Sequence, residues 1–451
     1  MPPQQNKTSE KKHITLDEIF SKSIEENASD VHIEPLEKSM MVRFRIDGKL
    51  QEKWNLPLIE LEPILNRIKV LSNMDIADHS KPQDGHFELV IKEKKKIVED
   101  KTPSKETDDA PEKWTEDSKK SANYNKLMSL LTNKKKEKLA PEKPNSQKEK
   151  IIEKERTLNV RSSIFPTVDG DAAVLRLLDR SEMLITLDNL GIDKTDLQTI
   201  RRLVSRTYGM LLLTGPAGSG KTTTLYSVLR ELRDKEKNIV TLEDPVEYDF
   251  ADIRQSQINE NQGFTFARGM KSILRQDPDV IMIGEVRDPE TAENAVRAAL
   301  TGKSVFSTIH SNNTVGTIAR LLDMDVQCSL IAYAINGILS QRLIRKVCPH
   351  CLEKYTPTPD YLGYFGLSTA NFTFKKGKGC DNCRGTGFTG RTGIFEILEF
   401  NNDIRSMIVE KKSMKDIQLY AESAGMKTLK QKALEKVMQG VTTIEEVASV
   451  V

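Results

Sequence analysis

The sequence has no apolar run close to the roughly 18 residues that span a bilayer. Its first twelve residues, Met1 to Lys12, carry no apolar core of the kind a secretory signal needs. Charge of one sign is also missing. Basic residues number 68 and acidic residues 66, a formal net charge of +2, so the whole chain offers no electrostatic footprint for nucleic acid. Aromatics make up only 6%, and no aromatic-basic stacking surface is visible. Five cysteines in 451 residues are too few for a disulfide scaffold and read as metal ligands or free thiols. No repeat recurs at solenoid or propeller periods. These absences point to a cytoplasmic chain of two or three ordinary domains.

One composition break divides the first half. Between residues 92 and 156, 33 of 65 residues are Lys, Arg, Asp or Glu, and glycine is absent. Such a stretch has too little apolar surface to offset its ordering entropy, so it is expected to be a disordered insertion. Its short apolar patch, Leu127 to Leu131, could form a transient helix or a partner contact, but the expectation is a passive loop. Strand patterns flank it. Val42, Phe44 and Ile46 alternate with Arg43 and Arg45 before the turn Asp47-Gly48. Leu158–Ile164 and Ala172–Leu178 are apolar runs joined by Pro166 to Gly170. The expectation is one small α+β domain over 1–180, interrupted at 92–156 where a long connection costs little. From about residue 190 short apolar runs alternate with helical stretches: Met210–Leu213, Ile239–Leu242, Val280–Ile283 and Val305–Ile309. That alternation predicts a parallel sheet covered on both faces over 181–340. Residues 397–451 read as helices.

Gly215-Pro216-Ala217-Gly218-Ser219-Gly220-Lys221-Thr222, followed by Thr223, fits the P-loop pattern without a mismatch. A strand precedes it, and Leu225, Val228, Leu229 and Leu232 mark a helix after it. Glycines let backbone amides point at a phosphate chain, and the helix N-terminus adds positive potential. Lys221 is expected on the β- and γ-phosphates, and Thr222 on Mg²⁺. Hydrolysis also needs an activated water, and groups at the ends of the later strands are the candidates. Glu243 and Asp244 follow one strand, Glu285 follows Val280–Gly284, and His310 follows Val305–Ile309, placed to sense a γ-phosphate.

Cys348-x₂-Cys351 and Cys380-x₂-Cys383 are two C-x₂-C pairs separated by 28 residues. Two such turns can build a closed tetrahedral Zn²⁺ site, structural rather than catalytic, in a module over 341–396. His350 is a weaker alternative ligand. Cys328, amid Met324, Val326 and Leu330, is expected to be a buried apolar residue.

Several stretches together resemble one family, the secretion-type AAA-like ATPases that drive type IV pilus assembly and type II secretion. Leu242-Glu-Asp-Pro-Val-Glu247 is similar to the family's aspartate box, Leu274–Asp288 to its Walker B region, and Gly302–Asn312 to its histidine box. Ala28–Pro35 and Val42–Gly48 resemble its N-terminal domain. The resemblance implies a RecA-like ATPase domain preceded by a smaller, PAS-like α+β domain, with a four-cysteine zinc insertion. It implies a homohexameric ring that hydrolyses ATP with Mg²⁺, docked at the inner-membrane face through a polytopic platform protein, with no nucleic acid. Glu243 is then the general base, Glu285 organises Mg²⁺ and water, and Arg161 and Arg176 reach the phosphates. The zinc module points to the assembly or secretion branch of the family; the expectation is pilus assembly, with a type II secretion ATPase as the near alternative and a RecA-like nucleic-acid motor as the remote one. The chain departs from the family at His79, Ser80 and His86, where basic residues are usual, and at Lys303, where histidine is common.

Overall fold

Alternation of buried and half-exposed residues makes Ser39–Ile46 a strand with Met40, Val42, Phe44 and Ile46 inward. In the computed structural model, which describes residues 14–97, 150–179, 185–233, 236–367 and 372–451, this is β2 of a six-stranded sheet. The other members are β1 (Asp30–Pro35), β3 (Lys49–Pro57), β4 (Gln83–Ile97), β5 (Lys150–Thr167) and β6 (Gly170–Asp179), in the order β3-β2-β1-β6-β5-β4. Asp47 and Gly48 both take positive φ at the β2–β3 turn, at 48° and 84°, the geometry that favours Asp-Gly in a two-residue hairpin.

The buried side of the sheet meets two amphipathic helices. Leu16–Glu25 starts from a capping box in which Thr15 and Glu18 exchange bonds, and it buries Leu16, Ile19 and Phe20. Leu61–Leu71 buries Leu61, Ile64, Leu65 and Ile68, an i, i+3, i+4, i+7 stripe. The opposite side carries a polar row fixed by register: Arg45 faces Asp30, Asp30 faces Arg176, and Arg176 faces Arg161.

Strands β4 and β5 continue to Ile97 and back from Lys150, so regular backbone enters both ends of the charged segment placed at 92–156. A ladder needs only backbone groups, which charged side chains do not interrupt. The remainder of that segment, with Leu127–Leu131, and the extreme N-terminus lie outside the described residues. By contacts the chain divides into two units, Met1–Leu89 with Leu158–Val451, and Val90–Thr157.

The second sheet has seven strands: β7 (Gly209–Thr214), β8 (Ile239–Glu243), β9 (Arg254–Gln257), β10 (Val280–Ile283), β11 (Ser304–Ile309), β12 (Ile335–Val347) and β15 (Phe388–Glu399). Their order is β15-β12-β7-β11-β10-β8-β9. All neighbours from β12 to β9 run parallel, and β15 is an antiparallel edge. The central strand β7 is buried throughout. Met210 and Leu212 enter one apolar cluster, and Leu211 and Leu213 enter another. The sheet is therefore covered on both faces, as parallel strands require. It also extends beyond the boundaries read from sequence, because β12 and β15 run across residues 340 and 396.

Between β12 and β15 sits a small excursion with β13 (Leu352–Tyr355) paired to β14 (Phe374–Gly377). Four helices close the chain: Asn402–Val409, Met414–Ser423, Leu429–Met438 and Ile444–Ala448. The last two bury Leu429, Ala433, Val437, Ile444 and Val447 against Ile344 and Ile394. Cys328 opens the helix Cys328–Ala334 half-buried, because the first turn of that helix faces partly outward. Among the described residues no helix is long and apolar enough to cross a membrane.

Candidate functional site

The loop after β7 runs straight into the helix Lys221–Leu232. Gly218 and Gly220 hold φ of 74° and 88°, left-handed values that suit glycine. A side chain on Gly215 would lie 2.5 Å from the Gln341 carbonyl, and one on Gly220 2.9 Å from the Gln341 amide nitrogen. Gln341 thus forms the floor of the loop, and its Oε1 accepts from Thr224 Oγ1 at 2.8 Å. Pro216, Ala217, Gly218 and Thr222 are exposed, Thr223 is half-buried, and Ser219 is buried with its hydroxyl lacking any hydrogen-bond partner.

Lys221 donates to the carbonyls of Gly215 at 2.8 Å and Pro216 at 3.0 Å. Burial pulls its pKa below the ordinary lysine value, Glu285 works in the opposite direction, and Arg342 adds to the depression. A glycine cradle, a buried cation, an orphaned hydroxyl and a helix N-terminus make a phosphate-chain site.

The strand-end carboxylates divide into two kinds. Glu285 follows β10, and His310 Nε2 lies 3.5 Å from its Oε2. Arg287 pairs with Glu285 and lies 3.6 Å from Asp244. Glu285, Asp244, Arg287 and His310 thus form one polar cluster at the ends of adjacent parallel strands. Glu243 is different. It is 3% exposed, and it accepts from Tyr226 Oη at 2.5 Å, Thr241 Oγ1 at 2.5 Å and Gln255 Nε2 at 2.9 Å. Burial raises its pKa above the ordinary glutamate value, partly offset by these donors. Tyr226 Oη in turn accepts from the amides of Glu247 at 3.0 Å and Tyr248 at 3.4 Å. Glu243 therefore braces the loop Asp244–Tyr248 from below, with every contact turned inward.

The two arginines carried over from the resemblance are occupied elsewhere. Arg161 lies 2.6 Å from Glu247, linking the first sheet to that same loop. Arg176 lies 2.9 Å from Asp30 within its own sheet. Neither is brought against Lys221 here. Three contributors left no mark in the sequence reading. Tyr226 and Gln341 are visible only once the strands are aligned. So is Glu396 on β15, a buried carboxylate that accepts from Thr314 N at 3.0 Å, Thr314 Oγ1 at 2.6 Å and Leu429 N at 3.1 Å.

The four cysteines converge. Their sulfur atoms all lie within 4.8 Å of one another, with Cys348–Cys380 at 3.9 Å and both Cys351–Cys383 and Cys380–Cys383 at 3.7 Å. Four thiolates about 2.3 Å from a tetrahedral Zn²⁺ would stand about 3.8 Å apart, so the set fits that ion. Amides of Gly379, Cys380 and Gly387 point at the sulfurs of Cys351 and Cys383, the outer-shell support such sites use. A side chain on Gly377 would meet the Gly387 carbonyl at 2.0 Å, which accounts for glycine there. Arg384, next to Cys383, takes φ of 51°. It donates to the carbonyls of Glu26 and Glu25, each at 2.9 Å, at the end of the helix Leu16–Glu25.

Comparison with known proteins agrees with this architecture. The family model described as type II/IV secretion system protein matches residues 5–102 and 114–449. Type II secretion system protein E of Pseudomonas aeruginosa is 37% identical over 437 residues, which cover 96% of this chain and 74% of that protein. The type IV pilus assembly ATPase PilB of Thermus thermophilus is 36% identical over 433 residues, 95% of this chain and 42% of that protein. Among solved structures, the pilus retraction motor PilT with bound ADP aligns with a TM-score of 0.58 at 23% identity, over 97% of this chain and 96% of that one. The ATPase DotB of Legionella pneumophila aligns with a TM-score of 0.61 at 19% identity, over 98% and 97%. These likenesses carry the fold, and the sequence relatives carry the family. The chain belongs to the type II/IV secretion system protein family.

Proposed function

We propose that the chain is an ATP hydrolase that powers assembly of a type IV pilus-like filament. The observation that carries this reading is the placement of two constellations at the ends of the parallel strands β7, β11 and β10, with β11 between the other two. One is the glycine cradle with Lys221 and the unpartnered Ser219 hydroxyl. The other is Glu285, clamped by Arg287 and close to His310. The first binds a polyphosphate, and the second can activate a water. Mg²⁺ would be held by the Thr222 hydroxyl with Glu285 nearby, and it would neutralise charge developing on the phosphates. Glu285 then accepts the proton of the attacking water, while His310 donates toward the terminal phosphate. Glu243 keeps the loop Asp244–Tyr248 in place and takes no part in proton transfer. The four cysteines hold a structural Zn²⁺.

The chain works as a homohexamer. In such a ring Arg45 and Arg176 on the first sheet become a surface offered to a bound nucleotide, Arg161 stays on the loop through Glu247, and the change in domain orientation on hydrolysis moves a platform protein at the inner-membrane face. The same chemistry serves a type II secretion pseudopilus. Relatives of both kinds match at 37% and 36% identity, so the filament is assigned through the machine the chain is found with. Purified chain should hydrolyse ATP, with turnover per chain rising with protein concentration as rings form. Lys221→Ala should bind nucleotide at least about 100-fold more weakly. Hydrolysis surviving in Lys221→Ala would refute the assignment.

A further inference from the structure

Arg342 is a cation that the P-loop pattern does not include. It stands just past the point where Ser340 of β12 pairs with Thr214, the last residue of β7. Its Nη1 donates to the Gln341 carbonyl at 3.0 Å, and its Nη2 to the Asn312 carbonyl at 2.7 Å. Nη1 also lies 3.1 Å from where a side chain on Gly215 would begin. The guanidinium is therefore pressed against the first glycine of the cradle. Asn312 belongs to the short segment after His310, and Asn313 then caps the helix Thr314–Asp323. One side chain touches the phosphate loop and holds the histidine segment.

The charge of Arg342 is poorly compensated. Both of its hydrogen-bond partners are backbone carbonyls. Burial lowers its pKa, and Glu396 works in the opposite direction, with its oxygens engaged by Thr314 and Leu429. Arg342 also depresses the pKa of Lys221. Two cations beside one glycine loop, one buried and one half-buried, are unfavourable alone and are relieved by a shared anion. The planar guanidinium fork matches phosphate oxygens in a way a point charge does not.

We propose that Arg342 is a second cationic contact for the phosphate chain, and that it ties phosphate binding to the histidine segment through Asn312. This rests on the assignment of the cradle as a nucleotide site. ATP carries the extra charge, so it should depend on Arg342 more than ADP does.

The test uses full-length wild type, Lys221→Ala, Arg342→Gln and Arg342→Lys, each checked for folding by thermal melting. Affinities for ADP and for a non-hydrolysable ATP analogue are measured by calorimetry, with kcat and KM alongside. Arg342→Gln should bind the analogue about 10- to 100-fold more weakly, corresponding to a lost charge-assisted contact, and lose less affinity for ADP. Arg342→Lys should keep most of the affinity, because charge is retained. Its kcat should fall, because the bond to Asn312 is lost. Should Arg342→Gln fail to fold, that KM-against-kcat split in Arg342→Lys decides. Analogue binding abolished in Lys221→Ala but unchanged in Arg342→Gln overturns the contact and leaves the nucleotide site standing. Equal losses for ADP and analogue in both Arg342 variants reduce the residue to packing, and absence of any binding by wild type removes the nucleotide site itself.

Discussion

Replacing Glu243 and Glu285 singly by glutamine should separate stability from turnover. Glu243 accepts three hydrogen bonds in a nearly closed environment. An amide at that position keeps the shape but turns one acceptor into a donor. The side facing Tyr226 cannot use that donor well, because the tyrosine oxygen already accepts from two backbone amides. The side facing Thr241 and Gln255 meets two donors. One buried group is left unmatched either way, at about 1–3 kcal/mol, and one charge-assisted bond becomes neutral, at about 1 kcal/mol. The expected loss is roughly 2–4 kcal/mol of unfolding free energy for the nucleotide-binding part, a fall in Tm of about 5–10 °C. Glu285 lies at the rim, with Arg287 and His310 as partners. Glutamine there should leave Tm within about 2 °C, keep nucleotide binding, and reduce kcat by about 10²- to 10⁴-fold as a lost base does. Melting curves, a coupled phosphate-release assay and nucleotide titration measure all three. The reasoning is refuted if Glu243→Gln melts like wild type yet loses turnover, since Glu243 would then be the base that the family resemblance implies.

Purified chain should carry one zinc per molecule by elemental analysis, and Cys380→Ser should lose it and expose residues 348–387 to protease, because metal binding supplies folding free energy; protein free of zinc in reducing buffer would contradict this. Arg384→Ala should speed amide exchange at the end of the helix Leu16–Glu25, where two carbonyls lose a donor; unchanged exchange there would show that the bridge contributes nothing. Arg161→Ala should lower kcat with little change in nucleotide affinity, because Arg161 reaches Glu247 rather than the cradle; a KM effect without a kcat effect would place it on the nucleotide instead.

Much of this architecture was legible because its elements announce themselves locally. The cradle is a contiguous pattern. The strands β7, β8, β10 and β11 are compact apolar runs bounded by turn residues, and the cysteine pairs are spaced for metal. What was hidden depends on tertiary alignment. Strand β12 follows the helix Cys328–Ala334 with no glycine or proline between them. Its Ile335, Ile338 and Leu339 fall at i, i+3 and i+4, spacing that reads equally well as more helix. Only pairing with β7 makes it a strand, and only then do Gln341 and Arg342 arrive beneath the P-loop. Glu243 was legible as a strand-end carboxylate but not as a buried one. Tyr226, which seals it, lies 17 residues earlier on the helix after the cradle. The arginine partners Glu247 and Asp30 were hidden for the same reason, since a charge at a strand position does not declare which neighbour it meets.

Glu396 has a mechanical consequence. One of its oxygens satisfies the start of the helix that follows the histidine segment, and the other satisfies the start of the helix Leu429–Met438. If either helix shifted alone, a buried carboxylate would lose part of its solvation at a cost of several kcal/mol. The two helices are therefore geared together through a single axle. A displacement that begins where His310 sits is delivered to the C-terminal helices, some hundred residues away along the chain, instead of dying out in the loops between.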